Sequence, residues 1–262
     1  MNRKQISILT DLAKSAALKA GGKILEVYHS KEIGLTQKED NSPLTLADQA
    51  AHQAIINDLE QTGLPILSEE GTEIPYSVRK NWEYYWLVDP LDGTKDFVKR
   101  NGEFTVNIAL INLGKPIMGV VYAPILDWLY WGSVGYGAWK KVGDQGQEKL
   151  EKVNDPSIKT IVASRSHMNQ ETKDFIAQYP EAKVINMGSS LKITLVAESK
   201  AQLYPRFGPT MEWDTAAAHA IVLAAGGEVV NLSDGKSLLY NKENLLNPSF
   251  LVRTSKFHSE TF

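Results

Sequence analysis

The chain contains no cysteine. That single absence removes disulfides, zinc–thiolate centres and thiol nucleophiles from consideration. Histidine is also scarce, with 5 residues that form no cluster of the kind zinc prefers. No G-x-x-x-x-G-K-S/T run occurs, so a P-loop kinase or GTPase is not supported. No apolar run approaches the roughly 18 residues that a membrane span needs, and the first residues lack a signal-peptide core. The cytoplasm is therefore the default location, and attachment to the cytoplasmic face of the inner membrane stays open. Nor is there a strong charge of one sign. With 28 basic and 31 acidic residues the net charge is −3, which argues against nucleic acid as a partner. No internal repeat or low-complexity tract is present.

The 262 residues and a hydrophobic share of 43% allow one large domain or two closely packed lobes with a sizeable core. A helical stripe at Ile8, Leu9, Leu12, Ala16, Ala20, Ile24 and Val27 predicts a first helix over residues 4–28, interrupted near its end by Gly21 and Gly22. A second helix is expected over residues 42–59, with Ser42 and Pro43 as cap and first residue, and Leu46, Ala50, Ala54, Ile55 and Leu59 facing the core. A short strand ends near Ser68, a polar loop covers 72–83, and antiparallel strands follow near 84–88, 105–111, 116–123, 128–134 and 136–142. The polar stretch 143–157 suggests a division into lobes 1–150 and 151–262. The second half alternates strand and helix, which predicts a mixed or parallel sheet with ligands near strand ends. The aromatics around Trp128–Trp139 have strand spacing and read as core or interface. Oligomeric state is not fixed by the sequence; a monomer and a homodimer both fit.

The acids are the informative residues. An apolar run from Tyr84 to Val88 stops on Asp89-Pro90-Leu91-Asp92-Gly93-Thr94. Pro90 fixes φ and lacks an N–H, while Gly93 permits a tight or left-handed backbone. Such a turn can aim two carboxylates at one point while nearby amides converge as for a phosphate. An ordinary turn would use the same residues, so the segment alone does not decide. Glu69 also closes a short strand, beside Glu70. Asp214 opens a small-residue helix, where the helix dipole favours an acid in any case. Asp48 has the same alternative in the second helix. If Glu69, Asp89, Asp92 and Asp214 converge, their mutual repulsion calls for cations. Two Mg²⁺ ions about 4 Å apart would relieve it and bracket a phosphoryl group.

The segments SEE (Ser68–Glu70), DPLDGT (Asp89–Thr94) and WDTAAAHA (Trp213–Ala220), in this order, resemble the inositol monophosphatase superfamily. The resemblance covers almost the whole chain. The runs DPLDGTKDFVKRNGEFTVNIALI, GSSLK and YPRFGPT are more specifically similar to bacterial 3'(2'),5'-bisphosphate nucleotidases. It implies a layered αβαβα sandwich of the fructose-1,6-bisphosphatase kind, in α/β (α+β) architecture. It also implies an Mg²⁺-dependent, Li⁺-sensitive phosphomonoesterase that converts adenosine 3',5'-bisphosphate to AMP and phosphate in sulfur metabolism. By resemblance, Glu69, Asp89 and the Leu91 carbonyl hold a first metal. Asp89, Asp92 and Asp214 hold a second, and Glu69 touches a third if one binds. Thr94 with Asp48 activates the attacking water, and Gly93 and Thr94 amides hold the phosphate. His167, Ser189, Lys192 and Arg206 contact the nucleoside or its second phosphate. Rival readings are an inositol or fructose phosphatase of the same fold, and a non-catalytic nucleotide sensor.

Overall fold

The computed structural model describes all residues except 31, 38–42, 152–156, 166–167 and 255–262. Helix α1 (Arg3–Tyr28) is followed by a two-residue ladder of β1 (Thr36–Gln37) with β2 (Pro43–Leu44), and then by α2 (Leu46–Leu59). Strand β3 (Ile66–Ser68) precedes a short α3 (Tyr76–Arg79), and β4 (Tyr84–Asp92) precedes a short α4 (Thr94–Val98). A meander follows: β5 (Thr105–Asn112), β6 (Lys115–Ala123), β7 (Trp128–Ser133), β8 (Gly137–Val142) and β9 (Glu148–Leu150). The second half brings β10 (Thr160–Ser164), α5 (Gln170–Ala177), β11 (Lys183–Met187), α6 (Leu191–Ala197), β12 (Leu203–Arg206), α7 (Glu212–Ala224), β13 (Glu228–Asn231) and β14 (Phe250–Arg253).

Strands β3 to β9 form one sheet in sequence order, and β11-β10-β12-β14-β13 form a second, mixed sheet. The first sheet is antiparallel except at its edge, where β3 runs parallel to β4. Helices α1 and α2 cover one face of that sheet, and α7 covers the other. Helices α6 and α7 pack on each other and together on the second sheet, whose far face carries α5. The expected αβαβα layering is thus present. Burial of the first sheet on both faces explains why β5 reads as an almost unbroken apolar run rather than an alternation.

Several details of the helices depart from the sequence expectation. Helix α1 runs uninterrupted through Gly21, because a Cβ there would lie 2.3 Å from the Tyr122 ring; close packing on β6, not a break, is what Gly21 serves. Its buried face is set by Ile6, Ala13, Ala17 and Ala20, so Ile8 is exposed. Helix α2 starts at Leu46 with Thr45 as its cap; Pro43 lies in β2, and Ser42 is outside the described residues. With that start, Ala47 and Ala51 face the core and Leu46 is exposed. The polar stretch 72–83 is not all loop, since it contains α3.

The central helix α7 sits unusually close to β6. A Cβ on Gly119 would lie 2.0 Å from the Ala217 carbonyl oxygen, so sheet backbone touches helix backbone there. The small-residue face Ala216, Ala217, Ala218 and Ala220 is fully buried. The N-terminus of α7, which carries Asp214, is therefore placed by close contact with the first sheet.

Candidate active site

The parallel pairing of β3 with β4 is what first brings acids together. Ser68 is opposite Val88, and the Glu69 amide donates to the Val88 carbonyl at 3.1 Å. The next residue on each strand is an acid, Glu69 on one and Asp89 on the other. The β4–β5 ladder then shifts register between Asp89 and Asp92. Pro90 lies inside that bulge, one of the few strand positions that tolerates a missing N–H. Gly93 follows with φ +94° and opens α4. Its missing Cβ leaves room for the Glu103 carbonyl, which a side-chain carbon would meet at 3.3 Å.

Asp214 completes the group from the first turn of α7. Oxygens of Glu69, Asp89 and Asp214 all lie within 4.8 Å of one another. Asp214 does both things the sequence allowed: Met211 donates its amide to Asp214 Oδ2 at 2.9 Å, while the carboxylate still faces the cluster. Asp89 is 1% exposed. At an effective dielectric of about 20, two charges this close repel by about 3 kcal/mol. Burial first, and then Glu69, Asp92 and Asp214, hold the Asp89 carboxyl well above the usual carboxylate range. Burial first, and then Asp92 and Glu69, raise Asp214. An oxygen-only, acid-rich cluster of one buried and two partly buried carboxylates fits hard divalent cations such as Mg²⁺.

Asp92 belongs to the same cleft but has a different setting. Its Oδ2 accepts from the Ser189 hydroxyl at 2.5 Å, from the Ser190 amide at 2.6 Å and from Asn107 at 3.5 Å. Burial raises its pKa, and the Ser189 bond is the largest opposing influence. The start of α6 thus spends the Ser190 amide on Asp92. Ser189 is held there in a left-handed conformation, φ +52°, with Thr105 Oγ1 2.6 Å from its hydroxyl and Lys192 Nζ donating to its carbonyl at 2.5 Å.

Thr94 and Asp48 come together as expected. The Thr94 hydroxyl lies 3.3 Å from both Asp48 Oδ1 and the Leu91 carbonyl. Asp48 is buried, and its Oδ2 accepts from the Thr45 amide at 2.7 Å and the Thr45 hydroxyl at 2.6 Å. This is a capping box, T-x-x-D, and the spacing was a readable sign of Thr45 that the sequence reading passed over.

One cleft of about 850 Å³ is lined by Glu69, Asp89, Leu91, Asp92, Gly93, Thr94 and Asp214 and also by Ser189, Lys192 and Arg206. His167 lies outside the described residues. Both cations are buried. Desolvation lowers the Lys192 pKa to about 8, Asp92 opposes that shift, and Arg206 adds to it. Arg206 donates to the Pro209 carbonyl at 2.8 Å, while its Nε is buried without a protein partner. Trp213, Met187 and Pro209 add apolar wall. The sequence reading missed Ser190, Asn107, Thr105 and Glu103, which hold Asp92 and the 188–190 turn. Nothing in their local spacing marks them, because each contact spans more than a dozen residues of chain.

A profile of the inositol monophosphatase family matches residues 6–261. The 3'(2'),5'-bisphosphate nucleotidase CysQ of Shigella flexneri is 50% identical over 93% of this chain and 99% of its own length. That of Haemophilus influenzae is 36% identical over 88% of this chain and 87% of its own. Among solved structures, CysQ from Bacteroides thetaiotaomicron, described as a bacterial member of the same family, superimposes with a TM-score of 0.84 at 48% identity. It covers 93% of this chain and 96% of that one.

Proposed function

The chain belongs to the inositol monophosphatase family, and from that premise we propose that it is a metal-dependent 3'(2'),5'-bisphosphate nucleotidase, hydrolysing adenosine 3',5'-bisphosphate to AMP and phosphate. The observation that carries this reading is that one cleft holds groups of both signs. An acid cluster suited to divalent cations shares one 850 Å³ space with two buried basic side chains. A phosphate being removed would lie at the acid cluster, and the phosphate being kept would face Lys192 and Arg206. The close likeness to nucleotidases named CysQ supports the same substrate.

Glu69, Asp89, the Leu91 carbonyl, Asp92 and Asp214 would hold two Mg²⁺ ions. When bound, such ions supply an acidified water, neutralise phosphoryl oxygens and stabilise the leaving 3'-oxygen. Asp48 keeps one oxygen on Thr45 and the other on the Thr94 hydroxyl. With its own proton given to Asp48, Thr94 Oγ1 presents a lone pair to the attacking water and orients it for proton removal. The amides of Gly93 and Thr94 at the start of α4 would bind the phosphate. Ser189 and Ser190 keep Asp92 in a fixed rotamer. His167 remains a candidate contact to the nucleoside.

The test is phosphate release from adenosine 3',5'-bisphosphate, inositol 1-phosphate and fructose 1,6-bisphosphate, each with Mg²⁺ and with EDTA. Mg²⁺-dependent preference for the nucleotide is the expected result. Preference for a sugar phosphate would keep the metal site and sink the assignment of Lys192 and Arg206. Tight nucleotide binding without turnover would leave a sensor. No helix among the described residues is long and apolar enough to cross a membrane.

A further inference from the structure

Arg79 is 3% exposed, yet it does not line the cleft and is ten residues beyond Glu69. Its guanidinium donates to one short stretch of distant chain. It donates from one terminal nitrogen to Asn241 Oδ1 at 2.9 Å and the Lys242 carbonyl at 2.6 Å, and from the other to the Glu243 carbonyl at 2.8 Å. Asn241 returns a bond, its Nδ2 donating to the Arg79 carbonyl at 2.6 Å. Asn241 itself is in the left-handed region, φ +67°.

That stretch is in turn fastened to the N-terminus of α7. Glu212, fully buried two residues before Asp214, accepts from the amides of Asn241 at 2.6 Å and Lys242 at 3.0 Å, and from Lys242 Nζ at 2.6 Å. The Glu212 amide donates to the Leu245 carbonyl at 2.9 Å. Asn247 donates to the Met211 carbonyl at 2.8 Å and to Thr215 Oγ1 at 3.0 Å. Residues 241–247 thus form a strap around the first turn of α7. On the other side, Ile74 and Trp82 flank α3 and pack against the central core, which fixes the segment leaving Glu69.

We infer that Arg79 is a positioning residue: through the 241–247 strap it sets the placement of Asp214 against Glu69, across the acid cluster. The forked guanidinium suits this because it can hold three acceptors at fixed angles, which a lysine cannot. The inference rests on the proposed metal site, since it concerns the separation of two of its ligands.

The test is Mn²⁺ binding to the full-length protein, followed by electron paramagnetic resonance, alongside thermal melting and steady-state kinetics. Wild type is compared with Arg79→Ala and with Asn241→Gly. The glycine keeps the left-handed backbone and removes both side-chain bonds to Arg79, so it remains informative if the alanine variant does not fold. The expected result is Mn²⁺ binding about 10-fold weaker in the variants, as for other supports of metal ligands. Nucleotide KM at saturating metal should be unchanged. Melting temperatures that fall while Mn²⁺ binding stays at the wild-type value would make Arg79 merely structural and overturn the inference, as would variants indistinguishable from wild type. Failure of the wild type itself to bind Mn²⁺ would instead overturn the metal site.

Discussion

The Thr94 hydroxyl meets Asp48 Oδ1 at 3.3 Å, joining the first turn of α2 to the first residue of α4. Asp48 cannot turn away from it, because Thr45 holds its second oxygen with two donors. Removing the pair's proton chemistry should lower kcat by about 10²- to 10⁴-fold. Thr94→Val and Asp48→Asn are the variants, and Thr94→Ser should retain most of the rate. Metal binding measured by Mn²⁺ resonance should change little in Thr94→Val. A loss of binding in step with kcat would mean that Thr94 supports the metals rather than the water.

The acid cluster should make metal-free protein sensitive to pH. Burial and mutual repulsion raise the folded pKa of Asp89 and Asp214. A carboxyl whose folded pKa lies above its unfolded value of about 3.9 binds more protons when folded, so stability falls as pH rises through that interval. The melting temperature in EDTA should therefore drop from pH 5 to pH 8, and added Mg²⁺ should raise it most at pH 8. Asp89→Asn should abolish turnover yet melt higher than wild type in EDTA. A wild-type melting curve in EDTA that is flat with pH would contradict the crowding of these acids.

Lys192 gives a second pH signature. Its pKa is pushed down to about 8, chiefly by burial. As pH rises through that value the ammonium loses its proton, and its hold on an anion fades, so nucleotide KM should climb above pH 8. Lys192→Met should raise KM by roughly 10- to 100-fold, the worth of a charge-assisted hydrogen bond. Lys192→Arg should flatten the climb, since a guanidinium stays protonated. Equal effects on inositol 1-phosphate would place Lys192 outside the nucleotide pocket.

Much of this site was legible because acids stood where strands stop. Asp89 and Asp92 closed an apolar run with Pro and Gly between and after them, and Glu69 and Asp214 sat at comparable ends. Strand ends are fixed by local composition, and one sheet edge gathers several of them. What stayed hidden was long-range. The parallel β3–β4 pairing that sets Glu69 beside Asp89 is not written in either strand. Asp92 owes its rotamer to Ser189 and Ser190, almost a hundred residues on. The face of α1 was misjudged because alanines and Gly21, not Ile8, are the residues small enough to meet the sheet.

Gly119 offers a test of how packing reaches the chemistry. Its alanine variant would push a methyl into the Ala217 backbone, which cannot move aside like a side chain. Overpacking of this kind costs about 1–3 kcal/mol and sometimes more. Gly119→Ala should melt several degrees lower and lose activity even where it remains folded, because displacement of α7 carries Asp214 with it. Full activity in a folded Gly119→Ala would show that the first sheet and α7 can part without disturbing the cluster.

Helices α6 and α7 form a layer with a sheet on each side. Among the described residues one apolar core joins the two sheets, so swinging one from the other would expose it. Clamshell breathing, by which many two-lobed enzymes meter their turnover, would here cost that buried apolar surface. Any gating of this cleft then falls to side chains that line it, such as Arg165 and Lys95, and its test is whether their truncation changes the rate of nucleotide release.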